Sequence, residues 1–290
     1  MRDIRLVAAV LESPAMLRSI SSHVFLRQRL HPGLLDAMQR GGAQGIEIFA
    51  ARHHVDYADR NAVRELANWF RSNQLTANSM HQPLYDSAEW SRHHGPNVNL
   101  IDQDKSRRIA AMDEVKRALE IAEQIPLQHM VVHLGNREDM WSQQALEHSL
   151  TAIEHLKAFA HPLGVKLMLE NLLNDVTRPE NLLEVLTVGH FSNVGICLDV
   201  GHANCCYGGV EAAFNILKHR IRHLHLHDNH GTGDEHLWPG EGTIGWAALK
   251  ANIATLPAET LGVLEIGYKL EETAEAVSEK AGKFLGEWEP

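Results

Sequence analysis

Cysteine is scarce in this sequence, and its scarcity excludes a fold held together by disulfide bonds. The 290 residues include only three cysteines, Cys197, Cys205 and Cys206. Secreted domains that depend on disulfides usually carry an even and larger number, spread along the chain. We therefore expect free thiols and a cytoplasmic location.

Long apolar segments are also absent, which argues against a membrane-spanning helix. Such a helix needs about 18 or more consecutive apolar residues, and no segment of the sequence is that long. Residues 1–11 combine Arg2, Asp3 and Arg5 with a short apolar run, which is not typical of a signal peptide. The sequence predicts no membrane partner.

Positive charge is in the minority. The chain has 27 Lys and Arg against 37 Asp and Glu, and its formal net charge is −10. Nucleic acid is therefore a disfavoured partner, although a local basic groove is compatible with an acidic total. We expect a small-molecule substrate, and the composition leaves a homo-oligomer open.

The sequence also lacks linkers. Short apolar runs alternate regularly with longer amphipathic stretches. This alternation predicts repeated βα units and a parallel sheet. We place the strands at residues 17–24, 45–49, 76–81, 128–133, 165–170, 194–199, 221–227 and 261–266. Eight units without a strand-linked glycine fingerprint favour a closed (β/α)8 TIM barrel over an open sheet, with residues 1–290 as one domain.

Polar side chains interrupt these apolar strands near their C-terminal ends. A charged group in such a position costs several kcal/mol unless it is paired or binds a cation. In a barrel these strand ends meet at one rim, where active sites are built. The sequence therefore predicts one shared metal site, and its candidate residues are Glu47, His81, His133, Glu170, Asp199, His225 and Glu265.

Histidine is unusually frequent, with 20 in the chain. Short polar spacings in three adjacent predicted loops make a second or third metal ion feasible: Asp199-Val-Gly-His202, His225-Leu-His-Asp228 and Asp234-Glu-His236. Other histidines lie in predicted helices or early loops, where we expect them to be solvated: His31, His53, His54, His93, His94, His148, His155, His161 and His219.

Four motifs together resemble the xylose isomerase-like TIM-barrel superfamily. They are Leu-Glu-Asn at Glu170, Leu-Asp-Val-Gly-His-Ala from Leu198, His-Leu-His-Asp-Asn from His225, and Pro-Gly-Glu-Gly-Thr-Ile-Gly from Pro239. The superfamily includes metal-dependent sugar isomerases and epimerases, and nucleases of the endonuclease IV type that act on abasic-site DNA.

Resemblance to the isomerase and epimerase branch implies one divalent metal ion, Mn, Co, Mg or Zn, bound by Glu170, Asp199, His225 and Glu265. It also implies that Glu170 and Glu265 are the catalytic pair, which transfers a proton through an enediolate. A metal that binds a carbonyl and its neighbouring hydroxyl makes the intervening C–H more acidic. Substrate hydroxyls would contact Glu47, His81, His133 and His202.

Resemblance to the nuclease branch implies up to three zinc ions, with His81, His133, His202, Asp234 and His236 as additional ligands. Asp234 and His236 favour this alternative. The early loops, however, lack the dense arginine and lysine residues that bind phosphates, and a carboxylate at Glu47 suits polyol hydroxyls. We favour the sugar isomerase or epimerase and keep the zinc phosphodiesterase as the alternative.

Overall fold

The computed structural model describes residues 18–86, 97–206, 208–267 and 272–287. Eight parallel strands close into a barrel in sequence order, and β8 pairs with β1. The strands are β1 Arg18–Ser21, β2 Gly45–Phe49, β3 Thr76–His81, β4 His129–Val132, β5 Lys166–Glu170, β6 Gly195–Asp199, β7 Ile221–Leu226 and β8 Leu261–Leu264. The predicted (β/α)8 TIM barrel is confirmed.

Helices in the described part of the chain follow the strands and cover the outside of the barrel. They are α1 Pro32–Arg40, α2 Arg60–Ser72, α3 Lys105–Leu119, α4 Gln143–Ala160, α5 Pro179–Val188, α6 Val200–Cys205, α7 Val210–Leu217, α8 Trp246–Ile253 and α9 Ala274–Glu287. Asp59 and Ser142 cap the first turns of α2 and α4 by accepting a backbone N–H. Gly164 ends the turn after α4 with a φ of 76°, which glycine adopts without strain.

The strand predictions hold to within a few residues. Residue 17, the predicted start of the first strand, lies outside the described residues, and this strand ends at Ser21 rather than at residue 24. Strands β4 and β8 end one residue before His133 and Glu265. Because all strands are parallel, their C-terminal ends meet at one rim, and these two side chains lie there with the other strand-end groups.

The described helices include none long and apolar enough to cross a membrane. All three cysteines are free thiols, and Cys197 is buried inside the barrel.

Burial of His54 contradicts the expectation that it is solvated. Its ring is fully buried, and Nδ1 lies 2.5 Å from the carbonyl oxygen of Gln28. The segment after β2 folds back onto the segment after β1, where Leu30 donates its N–H to the carbonyl of His54. The polarity of the neighbouring residues does not reveal a contact with a segment elsewhere in the sequence, so the burial of His54 could not be predicted from it. His93 and His94 lie outside the described residues.

This burial predicts a loss of stability in acid. Burial lowers the pKa of His54 to about 4 from an unfolded value of 6.5, so the unfolded chain binds the proton first as pH falls. The contribution of the neutral, buried His54 ring to the free energy of unfolding is fully present above pH 6.5 and is lost between that pH and about 4. It is on the order of 3 kcal/mol. In urea denaturation, the stability of wild type relative to His54→Gln, which does not titrate, should therefore fall as pH drops from 6.5 to about 4. A stability difference that does not change with pH would contradict the prediction.

Candidate metal centre

Three carboxylates converge on one histidine nitrogen at the C-terminal rim. Glu170 ends β5, Asp199 ends β6, and Glu265 follows β8, while His225 lies in β7 between them. Nδ1 of His225 is 3.1 Å from Oε2 of Glu265, 3.5 Å from Oε1 of Glu170 and 3.7 Å from Oδ2 of Asp199. All four side chains are at least 95% buried. The barrel thus brings the predicted ligand quartet together.

The charges of this group fit a bound cation. Burial raises the pKa of Glu170, but His133 and His225 outweigh it and hold the pKa well below its usual range. Several ionised carboxylates therefore face one another away from water, which costs free energy unless a positive charge lies between them. Neither nitrogen of His225 has an aligned hydrogen-bond partner in the described structure. An unpartnered buried nitrogen beside these oxygens is what a metal ligand requires.

Backbone carbonyls fix the proton positions of three further histidines at the rim. Nδ1 of His81 is 2.8 Å from the carbonyl oxygen of Gln82, and Nδ1 of His202 is 3.0 Å from that of Asn171. Nδ1 of His236 is 2.9 Å from the carbonyl oxygen of Glu265. A carbonyl oxygen only accepts, so each Nδ1 carries the proton. When such a ring is neutral, its unprotonated Nε2 faces the centre.

These Nε2 atoms face other acceptors in two flanking groups. In the first group, Nε2 of His133 is 2.9 Å from both Nε2 of His81 and Oε2 of Glu170. In the second, Oδ2 of Asp234 is 3.3 Å from Nε2 of His202 and 3.2 Å from Nε2 of His236. Lone pairs repel at such distances unless a proton or a metal ion lies between them. Both groups are therefore candidate metal sites.

The pKa of His236 shows how strongly its group attracts positive charge. Burial lowers this pKa, but the carboxylate of Asp234 outweighs burial and raises the pKa to about 10. A proton therefore occupies the group when no other cation does. Imidazole nitrogens with carboxylate oxygens suit Mn, Co, Fe or Zn, while Mg prefers an all-oxygen site.

Glu47 does not fit the predicted contact with substrate hydroxyls. Its side chain is fully buried, and Oε2 accepts a hydrogen bond of 2.8 Å from Ser79 and lies 3.1 Å from Nε2 of His223. Oε1 lies 3.0 Å from Nε2 of His225, although the two groups are not aligned as a regular hydrogen bond. In the pairing of β2 with β3, Phe49 is level with His81 and Glu47 lies lower, level with Ser79. Glu47 therefore lies beneath the ligand quartet.

The contact with Glu47 determines which nitrogen of His225 is free. A carboxylate oxygen and a ring lone pair would repel at 3.0 Å, so the proton of neutral His225 lies on Nε2. Nδ1, the atom that faces the three other carboxylates, is then available as a ligand. His225 thus presents Nδ1, whereas the flanking histidines present Nε2.

Two further histidines of β7 and its end belong to this region. The sequence analysis missed His223 and included His227 only in the His225-Leu-His-Asp228 spacing. His223 contacts Glu47, and Nε2 of His227 is 3.0 Å from each carboxylate oxygen of Asp199. The available signal was the i, i+2 spacing of His223, His225 and His227, which turns all three side chains to the same face of the strand. A Cβ on Gly201 would lie 2.0 Å from the His227 ring, which explains that glycine.

Asp228 shapes the loop after β7. Its carboxylate accepts hydrogen bonds from the backbone of Gly240 and Ile244 and from the indole of Trp246, at 2.7 to 3.1 Å. These bonds fold the Pro-Gly-Glu-Gly-Thr-Ile-Gly segment against the rim. The loop that carries Asp234 and His236 is held on the same side, through a β-bridge between Asp228 and Leu237.

Replacement of Glu47 by glutamine should weaken metal binding. Loss of a partner that orients a ligand histidine typically costs about 10- to 100-fold in metal affinity. Affinity would be measured by competition with a chromophoric chelator. The matched control is Glu114→Gln, which changes another buried glutamate that is ion-paired with Arg52 and Arg117 and not with a candidate metal ligand. Equal affinities of the two variants would refute the assignment.

Comparison with known proteins places the chain among TIM barrels with varied activities. It is 29% identical over 213 residues to protein MJ1311 of Methanocaldococcus jannaschii, covering 66% of this chain and 72% of that one. It is 24% identical over 234 residues to the fructoselysine 3-epimerase of Shigella flexneri (78% and 81% covered). It is 27% identical over 253 residues to a protein named "Probable endonuclease 4" of Natronomonas pharaonis (81% and 86% covered).

Solved structures share the same fold. A D-tagatose 3-epimerase-like protein superposes with a TM-score of 0.74 at 23% identity, covering 93% of this chain and 96% of its own. The IOLI protein with a bound zinc atom superposes with a TM-score of 0.70 at 17% identity, covering 94% and 96%. The family described as xylose isomerase-like TIM barrel matches residues 35–287. This chain belongs to that family.

Proposed function

We propose that this protein is a divalent-metal-dependent isomerase or epimerase of a sugar or sugar derivative. The observation that carries the proposal is the position of Glu170 and Glu265, two buried carboxylates that approach Nδ1 of His225 from β5 and from the segment after β8. A substrate between them would have a carboxylate on either side. One carboxylate can then take a proton from carbon, and the other can return one.

Both carboxylates are in the form that accepts a proton. Burial raises the pKa of Glu265, but His225 and His236 outweigh it and keep the pKa below its usual value. The pKa of Glu170 is lowered in the same way. At neutral pH both side chains are ionised, as a general base must be.

Other side chains complete the proposed site. A divalent cation held by Glu170, Asp199, His225 and Glu265 would polarise a carbonyl oxygen and make the neighbouring C–H more acidic. The predicted roles of His81, His133 and His202 in binding substrate hydroxyls remain part of the proposal. Their rings line the same rim, and each is largely buried. Sequence similarity to fructoselysine 3-epimerase supports this class of reaction.

The proposal predicts that Glu265→Gln abolishes proton exchange. Glutamine keeps an oxygen that can bind a cation but cannot accept a proton. We expect incorporation of solvent deuterium into a panel of ketoses to fall by about 100-fold or more. The control is Glu235→Gln, in the loop after β7, where the carboxylate is exposed and contacts His230. Unchanged exchange by a Glu265→Gln protein with full metal content would contradict the assigned role.

Hydrolysis of a phosphodiester by a zinc cluster is the second candidate, and one observation favours it. The oxygens of Glu170 face different groups: Oε2 faces His133, and Oε1 faces His225. Glu170 could thus bridge two metal ions, with Asp234, His202 and His236 available for a third. Such a cluster can activate water and hold a leaving oxygen. Similarity to "Probable endonuclease 4" supports this alternative.

Metal counting after Asp234→Asn separates the two candidates. If the protein is an isomerase, wild type and variant should each retain one tightly bound metal ion after dialysis, and proton exchange should survive. If it is the phosphodiesterase, wild type should hold three zinc ions, the variant should lose one, and wild type should cleave abasic-site DNA. The measurement is metal content by mass spectrometry, with Glu235→Gln as the neighbouring control.

A further inference from the structure

A cavity of about 320 Å³ opens beside the metal centre at the C-terminal rim. Its walls come from the segments after β4, β5, α6 and β7, and they include Arg137, Arg178, Cys205 and Gly233. Small-molecule sites usually occupy about 300 to 1,000 Å³. The cavity is therefore large enough for part of a small substrate.

The cavity and the metal centre share a wall. The thiol of Cys206 donates to the carbonyl oxygen of His202 at 3.1 Å, and the thiol of Cys205 donates to that of Gly233 at 3.4 Å. His202 and Asp234, which follows Gly233, both belong to a candidate metal group. A substrate bound at the centre could thus extend one end into the cavity.

The two arginines of this cavity, Arg137 and Arg178, have N–H donors without a partner among the described residues. Asp175 receives Nε of Arg178 at 2.6 Å on one oxygen and the N–H of Trp141 at 2.9 Å on the other. Asp175 thereby orients Arg178 through Nε, and the terminal nitrogens of Arg178 have no hydrogen-bond or ion-pair partner among the described residues. Arg137 likewise has no ion pair or hydrogen bond in the described structure. Both guanidinium groups can therefore bind a further acceptor.

We propose that Arg137 and Arg178 bind an oxyanion on the substrate, a phosphate or a carboxylate, while its reacting carbon lies at the metal centre. This inference rests on the proposed isomerase or epimerase and narrows its substrate to an anionic sugar derivative. Arginine binds such groups through paired N–H donors. In a chain with a net charge of −10, Arg137 and the terminal nitrogens of Arg178, which Asp175 leaves free, would attract an anionic substrate that the carboxylate-rich centre alone would repel.

The test follows the Nε–H signals of arginine by ¹H–¹⁵N NMR in the metal-loaded protein during titration with inorganic phosphate and, separately, with acetate. The double variant Arg137→Met/Arg178→Met should bind the preferred anion about tenfold or more weakly than wild type. The control Arg64→Met removes an exposed arginine of α2 and should bind as wild type does. The double variant also corrects for any anion that binds directly to the metal.

Each outcome is decisive. Shifts of the Arg137 and Arg178 signals with phosphate identify a phosphorylated substrate class, and shifts with acetate alone identify a carboxylate. Affinity that is equal in the double variant and in the Arg64→Met control, or no shift with either anion, would overturn the proposed subsite. Failure of proton exchange would instead contradict the isomerase, because anion binding is measured without turnover.

Discussion

The burial of carboxylates at one end of the barrel is the constraint from which the rest of this site follows. Glu170, Asp199 and Glu265 come from separate parts of the chain, yet each stays ionised away from water because histidines lie beside it. Negative charge at this density is tolerated only with compensating positive charge. A metal ion bound between them would supply that charge, and without one protonated histidines do.

The histidines are held in place by partners outside the centre. His81, His202 and His236 each point Nδ1 at a backbone carbonyl, so their ring orientation depends on the same strand ends that carry the carboxylates. His225 is oriented from below by Glu47. A site built this way keeps its ligand atoms aligned before a metal ion arrives, which lowers the cost of binding it.

Sequence alone predicted the barrel and most of the rim because strand alternation and polar strand ends are local signals. Glu47 shows the limit: alternation gives the face on which a side chain lies, whereas its depth in the barrel depends on the register of β2 against β3. His54 was misjudged because it is buried by a segment far away in the sequence. The proton positions also could not be predicted, since they depend on carbonyl groups that the fold brings near.

The two candidate functions both need the ligand quartet and differ only in the flanking histidine groups. The claim common to both is that Glu170, Asp199, His225 and Glu265 hold a metal ion. Anomalous diffraction from crystals grown with zinc or manganese tests this claim most directly. We predict a strong anomalous peak bounded by these four side chains. Ordered side chains with no peak there, or peaks confined to the flanking histidine groups, would contradict it.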